Sequence, residues 1–155
     1  MIDKKISIIL ASDHAGFALK ETVKTFLQGK KYSVLDVGAH EFVDGDDYPQ
    51  YMAAAALKVA EDLKGETKAI IFGKSGQGEA IMANRFPGVR AAVYYGGNDE
   101  ILKLSREHND ANILSIGAGF LDESQAKKAV ELWLSTPFSG EEKHARRNEE
   151  IDSIE

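Results

Sequence analysis

Cysteine is absent from the 155 residues of the chain. A disulfide framework and a thiolate nucleophile are therefore both excluded, and a chain of this kind is expected in the cytoplasm. The four histidines are scattered, without the regular spacing of zinc ligands. We therefore expect no structural metal site.

Long apolar runs are absent as well. No run approaches the roughly 20 residues that a membrane-spanning helix needs. The start of the chain, MIDKKISIIL, lacks the extended apolar region and the small-residue cleavage site of a secretory signal. Basic residues are not in excess, since the formal net charge is −6 at pH 7. Neither a membrane nor a nucleic acid is an expected partner, whereas a small anionic ligand is compatible with this charge because it responds to the local field.

The length and composition suit one domain over residues 1–155. A chain of this length buries roughly two-thirds of its unfolded surface in a single core. Short apolar runs predict five strands, at residues 5–11, 32–37, 69–72, 89–95 and 112–116. Patterns with helical spacing separate these runs, and a charged final helix is predicted over about 140–154.

The alternation of strands and helices predicts the fold class. The order βαβαβαβαβα is typical of α/β proteins and indicates a doubly wound, Rossmann-like sandwich with a five-stranded parallel sheet and a C-terminal helix. Ligands of such folds bind beyond the carboxyl ends of the strands. The segments that collect at this edge are residues 12–16, 38–48, 73–79, 95–99 and 117–119. Segment 38–48 is too long for a mere connection, which indicates a function.

The stretch IIFGKSGQGEAIMANR at 70–85 runs an apolar strand into a glycine-rich turn that opens a helix. Glycines at 73, 76 and 78 let the backbone N–H groups approach a ligand closely, and the helix start adds partial positive charge. The turn is therefore suited to stabilising an anion. Glu79 follows it directly, at a helix N-terminus expected to hold the carboxylate ionised and ready to accept a proton.

Other interpretations of this turn are weaker or more ordinary. A Walker A loop needs glycine at position 68, where the chain has Lys68, and the dinucleotide fingerprint G-x-G-x-x-G is absent. An ordinary strand-to-helix turn, with Glu79 as a common first-turn residue, fits this stretch taken alone. Residues elsewhere in the chain must decide between this ordinary turn and an anion-stabilising site.

Further polar residues have both structural and functional interpretations. Asp13, at the end of the first strand, suits a helix cap as well as a ligand site. His108 lies where the fourth helix ends, a position at which histidine commonly complements the helix dipole. Lys143 and Arg147 are spaced i, i+4 on one face of the last helix, where acidic neighbours make a solvated face the ordinary interpretation.

Six motifs together carry a resemblance to a known family. They are SDHAG at 12–16, DYP at 47–49, GKSGQGEAIMANR at 73–85, PGVRAA at 87–92, REHNDAN at 106–112 and KHARR at 143–147. With these motifs in this order, the sequence resembles the ribose-5-phosphate isomerase B family over nearly the whole chain. That family includes the galactose-6-phosphate isomerase subunits. The resemblance implies interconversion of aldose and ketose phosphates through an enediolate, without metal or organic cofactor. It also implies a homodimer or a dimer of dimers, with sites near the subunit interface.

The resemblance also implies roles for individual residues in catalysis. Glu79 would abstract the proton from the sugar carbon, since many members use a cysteine at the position of Gly73 and this chain has the glutamate variant. His108 would open the sugar ring. Ser75 would help the backbone N–H groups of the turn to stabilise the enediolate oxygens. These N–H groups are those of Gly76, Gln77 and Gly78.

Binding roles follow from the same resemblance. Asn109 would lie beside the developing enediolate, and Asp13 would hold sugar hydroxyls. The phosphate would meet His14, Lys143 and Arg147.

Two positions depart from the family pattern. Gly119 replaces an arginine after the fifth strand, and Lys143 replaces the first arginine of the C-terminal cluster. Lysine is a point charge, whereas arginine forks onto two phosphate oxygens, so these changes weaken the phosphate site or re-aim it. Lys74, an unusual residue in the turn, is a candidate source of the missing charge.

The sequence therefore predicts an aldose–ketose isomerase acting on ribose 5-phosphate and ribulose 5-phosphate. A hexose 6-phosphate, such as allose or galactose 6-phosphate, is the first alternative substrate. A non-catalytic sugar-phosphate-binding domain is the second alternative, and a flavodoxin-like receiver domain is a weaker third. Glu79 and His108 together favour an enzyme, because binding alone needs neither a base nor a ring-opening acid.

Overall fold

Five parallel strands pair into one sheet in the computed structural model, which describes residues 6–154. They are β1 (Ser7–Ser12), β2 (Ser33–Asp36), β3 (Thr67–Gly73), β4 (Ala91–Tyr94) and β5 (Ile113–Gly117). Their spatial order is β2-β1-β3-β5-β4, so β3 lies in the middle. The predicted five-stranded parallel sheet is confirmed. The predicted start of the first strand, Lys5, lies outside the described residues.

Strand β3 is the most deeply buried part of the sheet. Its residues Ala69, Ile70, Ile71 and Phe72 have no solvent exposure. Ile70 pairs with Leu10 of β1 on one side and with Leu114 of β5 on the other. A continuous apolar run forms this strand because helices cover both faces of a parallel sheet.

Residues 6–154 form six α-helices, of which the first five pack on the two faces of the sheet. They are α1 (Phe17–Gly29), α2 (Tyr48–Glu61), α3 (Gln77–Ala83), α4 (Glu100–Glu107), α5 (Glu123–Ser135) and α6 (Glu142–Asp152). The sequence predicts a second helix that continues to about Lys64, but α2 ends at Glu61. The helix ends there because Asp62 adopts an extended backbone and its carboxylate accepts a hydrogen bond from the N–H of Lys64.

Two apolar cores lie on opposite faces of the sheet. On one face, side chains of α1, α4 and α5 pack on the strands around the fully buried Trp133. On the other face, α2 and α3 pack on the strands around Met52. This arrangement is the doubly wound sandwich that the sequence predicts.

Backbone hydrogen bonds hold the segment after β2 beside the end of β1. The N–H of Ser12 donates to the carbonyl of Gly38 at 2.7 Å, and the N–H of Ala39 donates to the carbonyl of Ser12 at 2.7 Å. The Lys20 ammonium, fully buried, donates to both oxygens of Asp36 at 2.9 Å. A buried lysine needs such a partner, and this pair fixes the point at which segment 38–48 begins.

None of the helices within residues 6–154 is long and apolar enough to cross a membrane.

Gly16 lies at the close approach of the first turn to β3. A Cβ at Gly16 would come within 2.5 Å of the backbone carbonyl of Phe72, whereas a Cβ at Gly29, in α1, would meet nothing within 4 Å. We expect Gly16→Ala to lower the free energy of unfolding by about 1–3 kcal/mol because the backbone must shift. Gly29→Ala should leave it unchanged or raise it by up to about 1 kcal/mol, because alanine favours the helix. Urea denaturation of both variants tests this, and equal stabilities would contradict the packing.

Candidate functional site

The turn between β3 and α3 needs glycine for conformational reasons. Gly76 has φ of 80°, in the left-handed region, and is buried. A Cβ there would lie 3.2 Å from the carbonyl oxygen of Ser115 and from the amide nitrogen of Gly117. The hydroxyl of Ser115 donates to the carbonyl of Gly76 at 2.7 Å, which anchors the turn to β5. The Ser75 hydroxyl accepts from the N–H of Gln77 at 3.3 Å.

The Glu79 carboxylate is enclosed at the end of the central strand. It lies against the Cα of Gly73, in the space that any side chain at position 73 would occupy. The residue is only 5% exposed. Because Gly73 has no side chain, the carboxylate reaches the end of β3.

Burial raises the pKa of Glu79 above its ordinary value. The negative charge of Asp13 raises it further, while hydrogen bonds from the N–H groups of Glu79 itself and of Gly76 oppose the rise. The helix N-terminus therefore does not set the direction of this pKa shift, and the expectation of a carboxylate that is ionised and ready to accept a proton stays a prediction. The loss of solvation outweighs the attraction of the N–H groups, and the group holds its proton to higher pH.

Asp13 and His14 lie at the same edge of the sheet, beyond β1. The Asp13 carboxylate accepts hydrogen bonds from the N–H groups of Ala15, at 3.0 Å, and Gly16, at 3.2 Å. It therefore caps the short turn, as its ordinary interpretation predicts. His14 Nδ1 lies 2.8 Å from Oδ1 of Asp46, and the His14 side chain is 32% exposed. The hydrogen bond with Asp46 raises the pKa of His14.

A cation at this group would compete with the hydrogen bond between His14 and Asp46. One donor atom from each of Asp13, His14 and Asp46 lies within 4.8 Å of the others. His14 Nδ1 and Asp46 Oδ1, however, already bond to each other, and Asp13 already accepts from two N–H groups. The expectation that the protein uses no metal stays a prediction.

Lys74 and Gly119 lie next to each other at this edge. The N–H of Gly119 donates to the carbonyl of Lys74 at 2.9 Å, and a Cβ at 119 would lie 3.1 Å from Lys74 Cγ. The Lys74 side chain thus runs beside the position where the family pattern has an arginine. A side chain at 119 would also crowd the Lys74 carbonyl oxygen, at 3.0 Å.

Sequence reasoning selected neither Asp46 nor Tyr48 as a site residue. The Tyr48 hydroxyl lies against Gly78, in the space that a Cβ there would occupy. The motif DYP at 47–49 and the unusual length of segment 38–48 were the available signals. Neither signal shows which side chain turns toward the site.

A second group of predicted site residues surrounds the end of α4. The His108 ring stacks on His144, with 4.1 Å between ring centroids and 14° between planes. The Asn148 side chain donates to the His108 carbonyl at 3.0 Å. Burial lowers the pKa of His144, and His108, Lys143 and Arg147 lower it further. Asn109, Lys143 and Arg147 are exposed.

The two groups lie at opposite ends of the strands: the group around Glu79 at the carboxyl ends, and the group around His108 at the amino ends. Helix α4 leads back from the end of β4 to the start of β5, so His108 lies near the amino ends of the strands. Asn112, just before β5, accepts a hydrogen bond from the N–H of Ala69 at 3.0 Å. Ala69 and Gly73, which contacts Glu79, are four strand residues apart, about 13 Å at 3.3 Å per residue. Glu79 and His108 therefore do not meet within one chain.

Comparison with known families identifies a match over most of the chain. The family model described as Ribose/Galactose Isomerase matches residues 8–151. Ribose-5-phosphate isomerase B of Escherichia coli (strain K12) is 36% identical over 149 residues, which cover 96% of this chain and 95% of that relative. The family resemblance predicted from the motifs is confirmed.

Solved structures of similar sequence share the fold. Ribose-5-phosphate isomerase B from Mycoplasma genitalium, with bound ribulose 5-phosphate, has a TM-score of 0.90 and 31% identity, covering 97% of this chain and 96% of that one. Ribose-5-phosphate isomerase B from Clostridium thermocellum has a TM-score of 0.84 and 40% identity, covering 96% and 97%. The five-stranded α/β fold is therefore that of these enzymes.

The raised pKa of Glu79 predicts that its ionisation destabilises the fold. Below the ordinary value of 4.5, the carboxyl is protonated in both the folded and the unfolded chain and has no pH-dependent effect. As the pH rises from there through the raised folded pKa, the unfolded chain loses the proton first and stability falls. We therefore expect Glu79→Gln to become progressively more stable relative to wild type over this window. Urea denaturation of both proteins across this window, with about pH 4 as the reference, measures the difference in their free energies of unfolding. A difference that stayed constant with pH would contradict the prediction.

Proposed function

Because this chain belongs to the Ribose/Galactose Isomerase family, we propose that it interconverts ribose 5-phosphate and ribulose 5-phosphate through an enediolate, in the cytoplasm. The single observation that carries the proposal is the position of Glu79. Its carboxylate is buried against Gly73, beside a turn rich in backbone N–H groups. A base with a raised pKa next to donors for a developing oxyanion is the arrangement that abstraction of a proton beside a carbonyl requires.

The first step is ring opening, which we assign to His108. The imidazole takes the proton of the hydroxyl on C1 and returns a proton to the ring oxygen as the C1–O bond breaks, which leaves an open-chain aldehyde. Asn109 lies next to His108 and holds the open chain. His14 and Lys74 bind the phosphate from one edge of the sheet, and Lys143 and Arg147 supply charge from the other.

The second step is proton transfer between C1 and C2. Glu79 removes the proton from C2, and the electron pair of that bond forms the double bond between C1 and C2 while the carbonyl oxygen becomes an oxyanion. Ser75 and the N–H groups of the turn stabilise this charge. Glu79 then returns the proton to C1 as the proton on the C2 oxygen moves to the C1 oxygen, which leaves the ketose.

The assembly that we propose is a homodimer, since the complete site needs both edges of the sheet. A two-fold axis places the edge carrying Glu79 of one subunit against the edge carrying His108 of the other, and forms two identical sites. Edge strand β4 and the flanking helices offer a surface for this contact. Ile81 of α3 is 68% exposed and Ile101 of α4 is 50% exposed. A groove of about 350 Å³ between these elements includes Asn84, Ala92 and Asn109 in its lining.

The role of Glu79 predicts separate effects on binding and on turnover. Glu79→Gln should bind ribose 5-phosphate with nearly unchanged affinity and should lose about a hundredfold or more in turnover, because proton abstraction is a transition-state role. Exchange of the C2 proton with solvent deuterium, followed by NMR, measures this step directly. Glu123→Gln, an exposed first-turn glutamate of α5, is the control and should exchange like wild type. Undiminished exchange in Glu79→Gln would exclude it as the base, and a parallel assay with allose and galactose 6-phosphates would identify a hexose substrate.

The shared site predicts that two defective variants restore each other. Glu79→Gln and His108→Asn chains, unfolded together and refolded as a mixture, should recover about one quarter of the wild-type activity on ribose 5-phosphate. Half of the dimers are then mixed, and one of their two sites has both wild-type groups. The control is the same mixture made from chains refolded separately and assayed at once. If the co-refolded mixture showed only the average activity of the two variants, each site would lie within one subunit.

A further inference from the structure

Asp46 makes two hydrogen bonds to one residue that lies far from it in sequence. Its Oδ1 accepts from the backbone N–H of His14 and from the ring Nδ1, both at 2.8 Å. The Asp46 side chain is only 6% exposed. Segment 38–48 is therefore tied to the turn after β1 at the edge that carries Glu79.

We propose that Asp46 is a positioning residue for His14, holding the ring by Nδ1 so that Nε2–H is presented to the phosphate of the substrate. The inference rests on the proposed function, in which His14 binds that phosphate. Asp46 itself does not touch the substrate. Its two bonds to the same residue fix the backbone and the ring together, which one surface hydrogen bond would not do.

The hydrogen bond at Nδ1 determines which nitrogen faces the ligand. When the Asp46 carboxylate accepts from Nδ1–H, the proton of the neutral ring is held on Nδ1 and protonation adds a second proton on Nε2. His14 is partly exposed, so Nε2 is the ring nitrogen left to meet an anion. The ring of Phe42 lies beside the imidazole, with 6.3 Å between centroids and 80° between planes.

The charged groups around His14 favour the imidazolium. Asp46 is in contact, the Asp13 carboxylate lies 3.9 Å from Nδ1, and Asp44 adds a more distant negative charge. The pKa of His14 is raised, with the Asp46 hydrogen bond as the largest cause. Burial by itself would raise the pKa of Asp46, but the bonds from His14 and the hydroxyl of Tyr51 lower it overall, which keeps the carboxylate charged.

The pairing gives phosphate affinity a defined pH dependence. His14 contributes a positive charge below its raised pKa and loses it as the pH rises through that value. Without the charge of Asp46 the pKa of His14 falls, so the loss of affinity for phosphate occurs at lower pH. The carboxylates near the site would repel the phosphate if His14 were neutral. The positive charge of His14 is therefore especially important for phosphate binding here.

The experiment compares three variants of the segment. Asp46→Asn removes the charge and keeps the shape, and Asp46→Glu keeps the charge. Asp44→Asn removes a charge from the same segment at an exposed position, where the carboxylate acts on His14 only as a more distant charge. Titration of the His14 Cε1–H signal by NMR, assigned by its loss in His14→Gln, gives the pKa in the free protein. We expect a lower midpoint in Asp46→Asn, a midpoint near wild type in Asp44→Asn, and recovery toward wild type in Asp46→Glu.

Steady-state kinetics provide the second measurement. In Asp46→Asn, KM for ribose 5-phosphate should rise by about threefold to tenfold near neutral pH with little change in kcat, as expected when a bond to a charged group is weakened. Inorganic phosphate should raise the His14 midpoint less in this variant than in wild type. An unchanged His14 midpoint, or a loss confined to kcat, would overturn the proposal. If wild type titrates as expected but does not isomerise ribose 5-phosphate, the proposed function fails and the Asp46–His14 pairing is supported.

Discussion

Burial of strand β3 on both faces and along both edges is the constraint on which the rest of the structure depends. Buried backbone groups need hydrogen-bond partners, so β3 must pair with β1 and β5 along its length. Parallel pairing then requires a helical crossover between successive strands and brings the carboxyl ends of all strands to one edge. The glycine-rich turn and the segments that follow β1 and β2 lie together because of this pairing.

At the end of β3, the same close packing sets the chemistry of Glu79. The carboxylate enters the space beside Gly73 because no side chain is present there. An acid in this position gives up solvation, which raises its pKa and reduces the stability of the ionised folded chain. The raised pKa also brings the group closer to the value that suits a base at neutral pH. The same placement of Glu79 therefore lowers the stability of the fold and makes the carboxylate a better base.

Long-range contacts complete the edge that carries Glu79. The buried pair of Lys20 and Asp36 fixes the start of segment 38–48, and Asp46 fixes its end against His14. Negative side chains gather here, whereas the exposed Lys143 and Arg147 lie near the opposite edge. A sugar phosphate needs a base at one end and positive charge at the other. The proposed homodimer would bring these two groups together.

The sequence by itself determined the five strands, the order of the helices and the family, because apolar periodicity and motif order are local properties of the chain. It also identified the turn at 73–79 and the segment at 38–48 as places for a site, since strand ends can be located from the sequence. Only the tertiary structure decided the direction of the Glu79 pKa shift, the pairing of Asp46 with His14 and the separation of Glu79 from His108. Solvation at Glu79 depends on what packs around it, Asp46 and His14 are 32 residues apart, and the separation depends on the direction of α4 relative to the sheet. These are properties of packing between distant segments, which no local pattern of residues records.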